Sequence, residues 1–304
     1  MGPLCQGAKG TLTMASQTRS HNDICSECGA SLSNTMRHCP TCRADAGAPN
    51  VRRCRTDENL KALDARFDAA QARAYANGCS KEFYTFLELM ERQSGVVVSM
   101  PARVARNIIS DPREIYTNYE TLVGNNIRKA SGSNSDQHRC AVAGRLFGSY
   151  ARDIIYGALS LNEDGLPTYG DVHCRLRSIT INKRTSFLET NSYRFVGNHR
   201  ISFGGSLPLG YMACWNHRHR LVLAKLADSL SIGQGESDWQ GILVQSDGKE
   251  RKNDNYVEAH IYDGFDRNAI ESMVASTGKK LSREERLDLD IAMHEFKRLE
   301  GKTK

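Results

Sequence analysis

Two C-x2-C pairs, Cys25-Ser-Glu-Cys28 and Cys39-Pro-Thr-Cys42, stand ten residues apart in a chain of 304 residues. No other feature restricts its own stretch of chain so tightly. Each tight turn aims backbone amides at its sulfurs and points both thiolates at one place, so two turns bring four thiolates within tetrahedral reach of one ion. Two disulfides are the rival reading, and they need an oxidising compartment. The spacing predicts a zinc ribbon over residues 23–44, with Cys25, Cys28, Cys39 and Cys42 holding a structural Zn2+ and His38 as a spare donor. So short a module does not hold its fold without the metal. Four thiolates leave no open position for catalysis by the ion, so its expected role is docking on a protein or contacting nucleic acid.

The remaining six cysteines, at positions 5, 54, 79, 140, 174 and 214, show no pairing pattern and read as buried thiols of a reducing cytoplasm. Cys174 and Cys214 lie near histidines, but no nucleophile motif surrounds either. A mean hydropathy of -0.51 with 25% charged residues describes a soluble chain, and the absence of a long apolar run predicts no membrane span. Residues 1–22 lack the apolar segment of a secretory signal and read as disordered, and Pro3 and Gln6 do not suit acylation at Gly2. The expected location is cytoplasmic. The net charge of +6 is spread along the chain, with small clusters at Arg52, Arg53 and Arg55 and at His217 to Arg220. Such clusters suit phosphate but equally a solvated surface.

Residues 45–57 are small, polar and basic and read as a linker. Residues 58–110 form a helical segment. Leu60, Leu63, Phe67 and Ala70 recur at helical spacing up to Asn77-Gly78, and a second helix from Ser80 carries Phe83, Phe86, Leu87 and Met90. Val96 to Val98 suits a short strand, and Pro101 starts another helix. Ser131 to Asp136 reads as a loop, Val172 to Ile181 as strand, Leu221 to Ala227 as helix, and Gly233 to Ser246 as loop with a short strand. Residues 281–304 hold a C-terminal helix and tail, opened by the capping box Ser282-Arg-Glu-Glu285.

Between Tyr256 and Tyr262 the chain alternates, with Val257, Ala259 and Ile261 on one face and Tyr256, Glu258, His260 and Tyr262 on the other. Asp263-Gly264 turns it, and Asp266 is placed to cap a short helix through Met273 and Val274. A face with a carboxylate, an imidazole and two phenols suits the wall of a cleft, and equally a solvated strand face.

The run Y-V-E-A-H-I-Y-D-G in this stretch resembles the C-terminal signature of an uncharacterised bacterial family. Leu146 to Tyr150, Tyr156 to Leu161, Gly165 to Arg177 and Arg184 to Ser192 are similar to further runs of that family, in the same order. That family in turn resembles a branch of the ADP-ribosyltransferase superfamily. The resemblance implies an α+β chain with an ADP-ribosyltransferase-like split β-sheet core over residues 111–280, N-terminal helices and the zinc ribbon. It implies NAD as substrate, Glu258 as the catalytic glutamate, and Tyr256 as the acceptor-facing residue of the same strand. Glu120 and Thr121 would lie on the strand that contacts NAD, and Arg184, Thr185 and Ser186 on the strand that braces the cleft. Thr117 stands where the family carries an arginine for a dinucleotide phosphate, so Arg113 or Arg128 would substitute.

By the same resemblance the acceptor is nucleic acid or protein, and the chain is a toxin or defence effector, cytoplasmic or delivered, with an antitoxin or immunity partner. A second expectation is a non-enzymatic zinc-ribbon binding protein that keeps a degenerate transferase fold. The stretch from Ser192 to Asn253 fits no run of the family and is where substrate-specific structure is expected.

Overall fold

The structure is a computed structural model describing residues 23–25, 27–33, 36–127, 132–276 and 281–301. Residues 1–22, Arg128 and the tail at 302–304 lie outside the described residues. A two-stranded hairpin, β1 (Asp23–Ile24) and β2 (Ser31–Leu32), stands beside the cysteines. The stretch read as a linker contains α1 (Pro49–Cys54), whose proline sits in the first turn, where a missing amide costs nothing. α2 (Asp57–Ala76) starts on Thr56, whose hydroxyl accepts the Asn59 amide, and stops at Asn77-Gly78 with Gly78 at φ 73°. α3 (Ser80–Gln93) packs back on α2, where the Phe67 and Phe83 rings lie 5.5 Å apart.

β3 (Gly95–Met100) and α4 (Ala102–Ser110) follow, then α5 (Tyr119–Gly124), α6 (Ser133–Phe147), β4 (Ile154–Ser160), β5 (Val172–Leu176), α7 (Ser178–Ile181) and β6 (Thr185–Leu188). The remainder holds α8 (Ser192–Asn198), β7 (Met212–Cys214), α9 (Arg218–Leu226), α10 (Glu236–Leu243) and the short pair β8 (Val244–Gln245) and β9 (Asn255–Tyr256). β10 (Glu258–Tyr262), β11 (Ile270–Ala275) and α11 (Arg283–Glu300) end it, the last opening on the expected capping box of Ser282 and Glu285.

Seven strands form one antiparallel sheet in the order β11-β5-β3-β4-β10-β6-β7. The mixed α and β content is as expected, but these seven strands join in one continuous sheet, where the resemblance implies a split one, and β1–β2 and β8–β9 pair apart from it. β3, from the segment read as helical, lies near its middle, paired with β4 and β5. One face of the sheet carries Val96, Val98, Phe187, Ala259 and Ile261 and joins the main core, which also holds apolar residues of α2, α3, α4, α9 and α11. The other face carries Leu188, Cys214 and Tyr262 against residues of α1, α6 and α8. With both faces covered, Glu258 and His260 are buried, and the solvated-face reading of this strand is overturned.

Several local expectations are corrected. Asp266 caps only a single 3-10 turn, Arg267–Ala269, and Met273 and Val274 lie in β11, because pairing with β5 outweighs the cap. Gly233 to Ser246 holds α10, anchored by buried Trp239, whose ring lies 5.0 Å from Phe86. Helix α6 begins at Ser133, inside the expected loop. Glu120 and Thr121 lie on helix α5 and not on a strand, since Asn118 accepts the Thr121 amide at 2.9 Å and starts a helical turn. Among the described residues no helix is long and apolar enough to cross a membrane.

Gly170 passes so close to β3 that an added Cβ would lie 2.2 Å from the Met100 carbonyl carbon. Backbone cannot step aside as a side chain can. Gly170→Ala is expected to cost about 3 kcal/mol, the upper part of the overpacking range, seen as a lower urea midpoint. Gly241→Ala, where a methyl meets nothing within 4 Å, is the control and is expected to leave the midpoint unchanged or raised.

Candidate functional site

A cavity of about 320 Å³ opens on the polar face of the sheet beside β3, β4 and β10. Glu258 reaches it from the first position of β10, where it stands opposite Ala158 of β4 and Leu188 of β6. Its side chain is only 5% exposed. Oε2 accepts the Ser192 amide at 2.7 Å and, in a short bond, the Ser192 hydroxyl. His260 Nε2 lies 3.3 Å from the same oxygen, and Oε1 accepts the Tyr256 phenol at 3.2 Å. A buried carboxylate needs several donors of this kind to stay charged.

The donors are themselves held. Asn191 caps α8 by accepting the Tyr193 amide, and its Nδ2 donates to the phenols of Tyr169 at 3.1 Å and Tyr256 at 3.3 Å. Burial, then the Glu258 charge, pushes the Tyr169 phenol up to about 12 and those of Tyr156 and Tyr256 well above their usual range. These phenols therefore stay protonated, and Tyr256 acts as a donor to the carboxylate.

The remaining charged side chains among the described residues of the wall are basic. Arg139 of α6 lies over the Tyr119 ring at 3.7 Å, Arg251 lies over the Tyr169 ring at 4.8 Å, and Lys252 adjoins it in sequence. Among the described residues of the wall, Glu258 is thus accompanied by Arg139, Arg251, Lys252 and several tyrosine rings, a lining that suits an anionic ligand with stackable groups.

Of the residues expected at the site, Glu258 and Tyr256 line this cavity. Tyr256 does not face outward as an acceptor platform, since it is 2% exposed with its phenol turned to Glu258. Glu120 bonds the Cys140 thiol at 2.8 Å and pairs with Arg152, and Thr121 takes part in the α5 cap, although Thr117, Asn118 and Tyr119 just before them do line the cavity. Arg184 spends its guanidinium on the carbonyls of Tyr262 and Asp263 at the far end of β10, and Thr185 bonds the Ile181 carbonyl. Ser186 stands opposite His260 and accepts from Asn50, away from the cavity wall. The hydroxyl that meets Glu258 is Ser192, six residues further on. Its signal in the sequence is an Asn-Ser pair of helix-cap type closing the Arg184 to Ser192 run. Arg139 and Arg251, from segments without a motif, carried none.

The four cysteines form a second centre. All four sulfurs lie within 4.8 Å of one another, with Cys25 to Cys42 at 3.6 Å and Cys28 to Cys39 at 3.5 Å. Bonds of about 2.3 Å to a tetrahedral ion give edges of about 3.8 Å, so the cluster is positioned to bind a metal ion. Gly29 and Arg43 take positive φ to close the two knuckles, and the amides of Cys42 and Thr41 bring the Cys39 thiol down to about 6. His38 forms a β-bridge with Asp45 and is not part of the cluster. Of the other cysteines, Cys174 is buried with its thiol pushed up to about 12 by burial, and Cys214 is buried 3.4 Å from His217 Nδ1.

Comparison with protein-family models and with curated proteins gives no match. Two measurements test the geometry directly. The folded chain is expected to take up one equivalent of divalent metal, and a Cys39→Ala, Cys42→Ala double variant to take up none, by metal analysis after gel filtration. Lys225 is half-buried, donates to the Tyr256 carbonyl at 3.0 Å and is lowered by desolvation to about 8 from 10.5. The unfolded chain therefore binds the extra proton between those values, and this penalty on folding relaxes as pH rises through them. Lys225→Met is expected to be the more stable protein at pH 7, with the gap in urea midpoints narrowing by pH 10.

Proposed function

We propose that the chain is an NAD-dependent ADP-ribosyltransferase whose cysteine module carries structural zinc. The reading is supported by one arrangement above all. A buried, multiply bonded Glu258 faces a cavity whose other charges are cations and whose rings are tyrosines. At about 320 Å³ the cavity is at the small end for ligands, suiting one nucleoside half of a dinucleotide, with the rest crossing the rim.

Leaving of nicotinamide breaks the ribose C1–N bond, and the electron pair goes to the ring nitrogen. Positive charge then develops on the ribose. Glu258 is the group that stabilises it, held in place by Ser192 and Tyr256. The acceptor's lone pair forms the new bond to C1 and its proton passes to solvent. Arg139 of α6 is the cation that would meet the diphosphate, where Thr117 takes the place of the family's arginine. The acceptor is nucleic acid or protein. A toxin or defence role, with a matching antitoxin or immunity partner, rests on analogy with the superfamily. The second reading, a non-enzymatic binding protein with a degenerate transferase fold, is favoured by Thr117 itself, which lines the cavity where an arginine is expected.

Incubation with labelled NAD separates the two. Glu258→Gln is expected to lower NAD turnover ~10²-fold or more while leaving the urea midpoint within the range of other variants. Ser192→Ala is expected to lower it less, with partial recovery in Ser192→Thr. A folded, metal-loaded wild type that leaves NAD intact would sink the transferase reading.

A further inference from the structure

Tyr193 differs from the other tyrosines of the cavity. It lines the opening yet is 55% exposed, on the residue next to Ser192 and therefore next to the hydroxyl that holds Glu258. Lys252, exposed like Tyr193, lines the same cavity. Beside them Arg251 lies over the Tyr169 ring at 4.8 Å and is tied to the Thr168 carbonyl at 3.1 Å. The same exposed segment supplies Lys249. The acidic groups here are few and engaged. Glu250 pairs with Lys252 at 2.6 Å on the surface, a type of pair that adds little and yields readily to phosphate. Asp247 is held by Asn253 and by the amides of Lys249 and Glu250.

An exposed ring flanked by cations is the arrangement that binds single strands, the ring stacking a base and the cations following the phosphates. We propose that Tyr193, Arg251 and Lys252 form a docking surface for single-stranded nucleic acid, one base stacked on Tyr193 and the neighbouring phosphates on the two cations. As acceptor in the transferase reading, on which its modification rests, such a strand would place a base beside the mouth that Glu258 faces.

The test needs no NAD at its first stage. Binding of short fluorescent single-stranded RNA and DNA, and of the matching duplexes, is followed by anisotropy for the full chain. The wild type is expected to prefer single strands and to weaken as salt rises. Tyr193→Ala is expected to lose about tenfold in affinity, Tyr193→Phe to keep it, and Lys252→Gln to flatten the salt dependence. Absence of binding, or equal binding by wild type and Tyr193→Ala, overturns the docking surface. At the second stage labelled NAD is added with the oligonucleotide and, separately, with lysate protein. Label on the oligonucleotide supports the acceptor assignment, and label on protein alone overturns it. Tyr193-dependent binding without NAD turnover leaves the docking surface standing and removes the transferase reading.

Discussion

Everything at the site depends on keeping one carboxylate inside the protein. Glu258 is buried in a sheet that is covered on both faces, and a charge there survives only if donors replace the water it has lost. Ser192 supplies two of those donors and Tyr256 a third. These partners come from the end of the β6 to α8 connection and from the strand just before β10. Asn191 ties the two sources together through Tyr169 and Tyr256. The network therefore fixes a loop, a helix start and two strands around one oxygen pair at the wall of the cavity.

Much of this architecture could be read in the sequence where local chemistry decides the outcome. Helical spacing with Asn-Gly as a stop placed α2, and the capping box at Ser282 placed the last helix. The cysteine spacing located the four-cysteine cluster because a C-x2-C turn forces its own geometry. Alternation from Tyr256 to Tyr262 located β10 but could not say that the polar side would be covered, since that depends on helices distant in sequence. Asp266 shows the limit from the other side. Its cap is present, yet the residues beyond it pair with β5 as strand, because ladder partners and burial outweigh a cap worth about 1 kcal/mol.

The site residues divide in the same way. Glu258 and Tyr256 stand two residues apart in one alternating run and could be found together, although the fold divides that run between β9 and β10. Ser186 was a reasonable hydroxyl on a neighbouring strand, but it faces Asn50 and His260 further along the sheet. Which of two nearby serines meets a carboxylate is a matter of register and loop path, and single-residue spacing does not carry that information. Arg139 and Arg251 reach the cavity from a helix and a loop with no strand pattern, so only the folded chain brings them there.

The cysteine module is joined to this body through contacts that run close to the same strand. Arg52 of α1 holds the carbonyls of Ser33, Met36 and Gly47, while Asn50, two residues earlier, donates to the His260 carbonyl and to Ser186. The sheet itself mixes early and late chain, with β3 near its middle and β10 between β4 and β6. During synthesis, the first two hundred residues would emerge from the ribosome with a gap where β10 belongs. The wall that carries Glu258 closes only once β10 has joined β4 and β6, so a product truncated before β10 has no complete cavity.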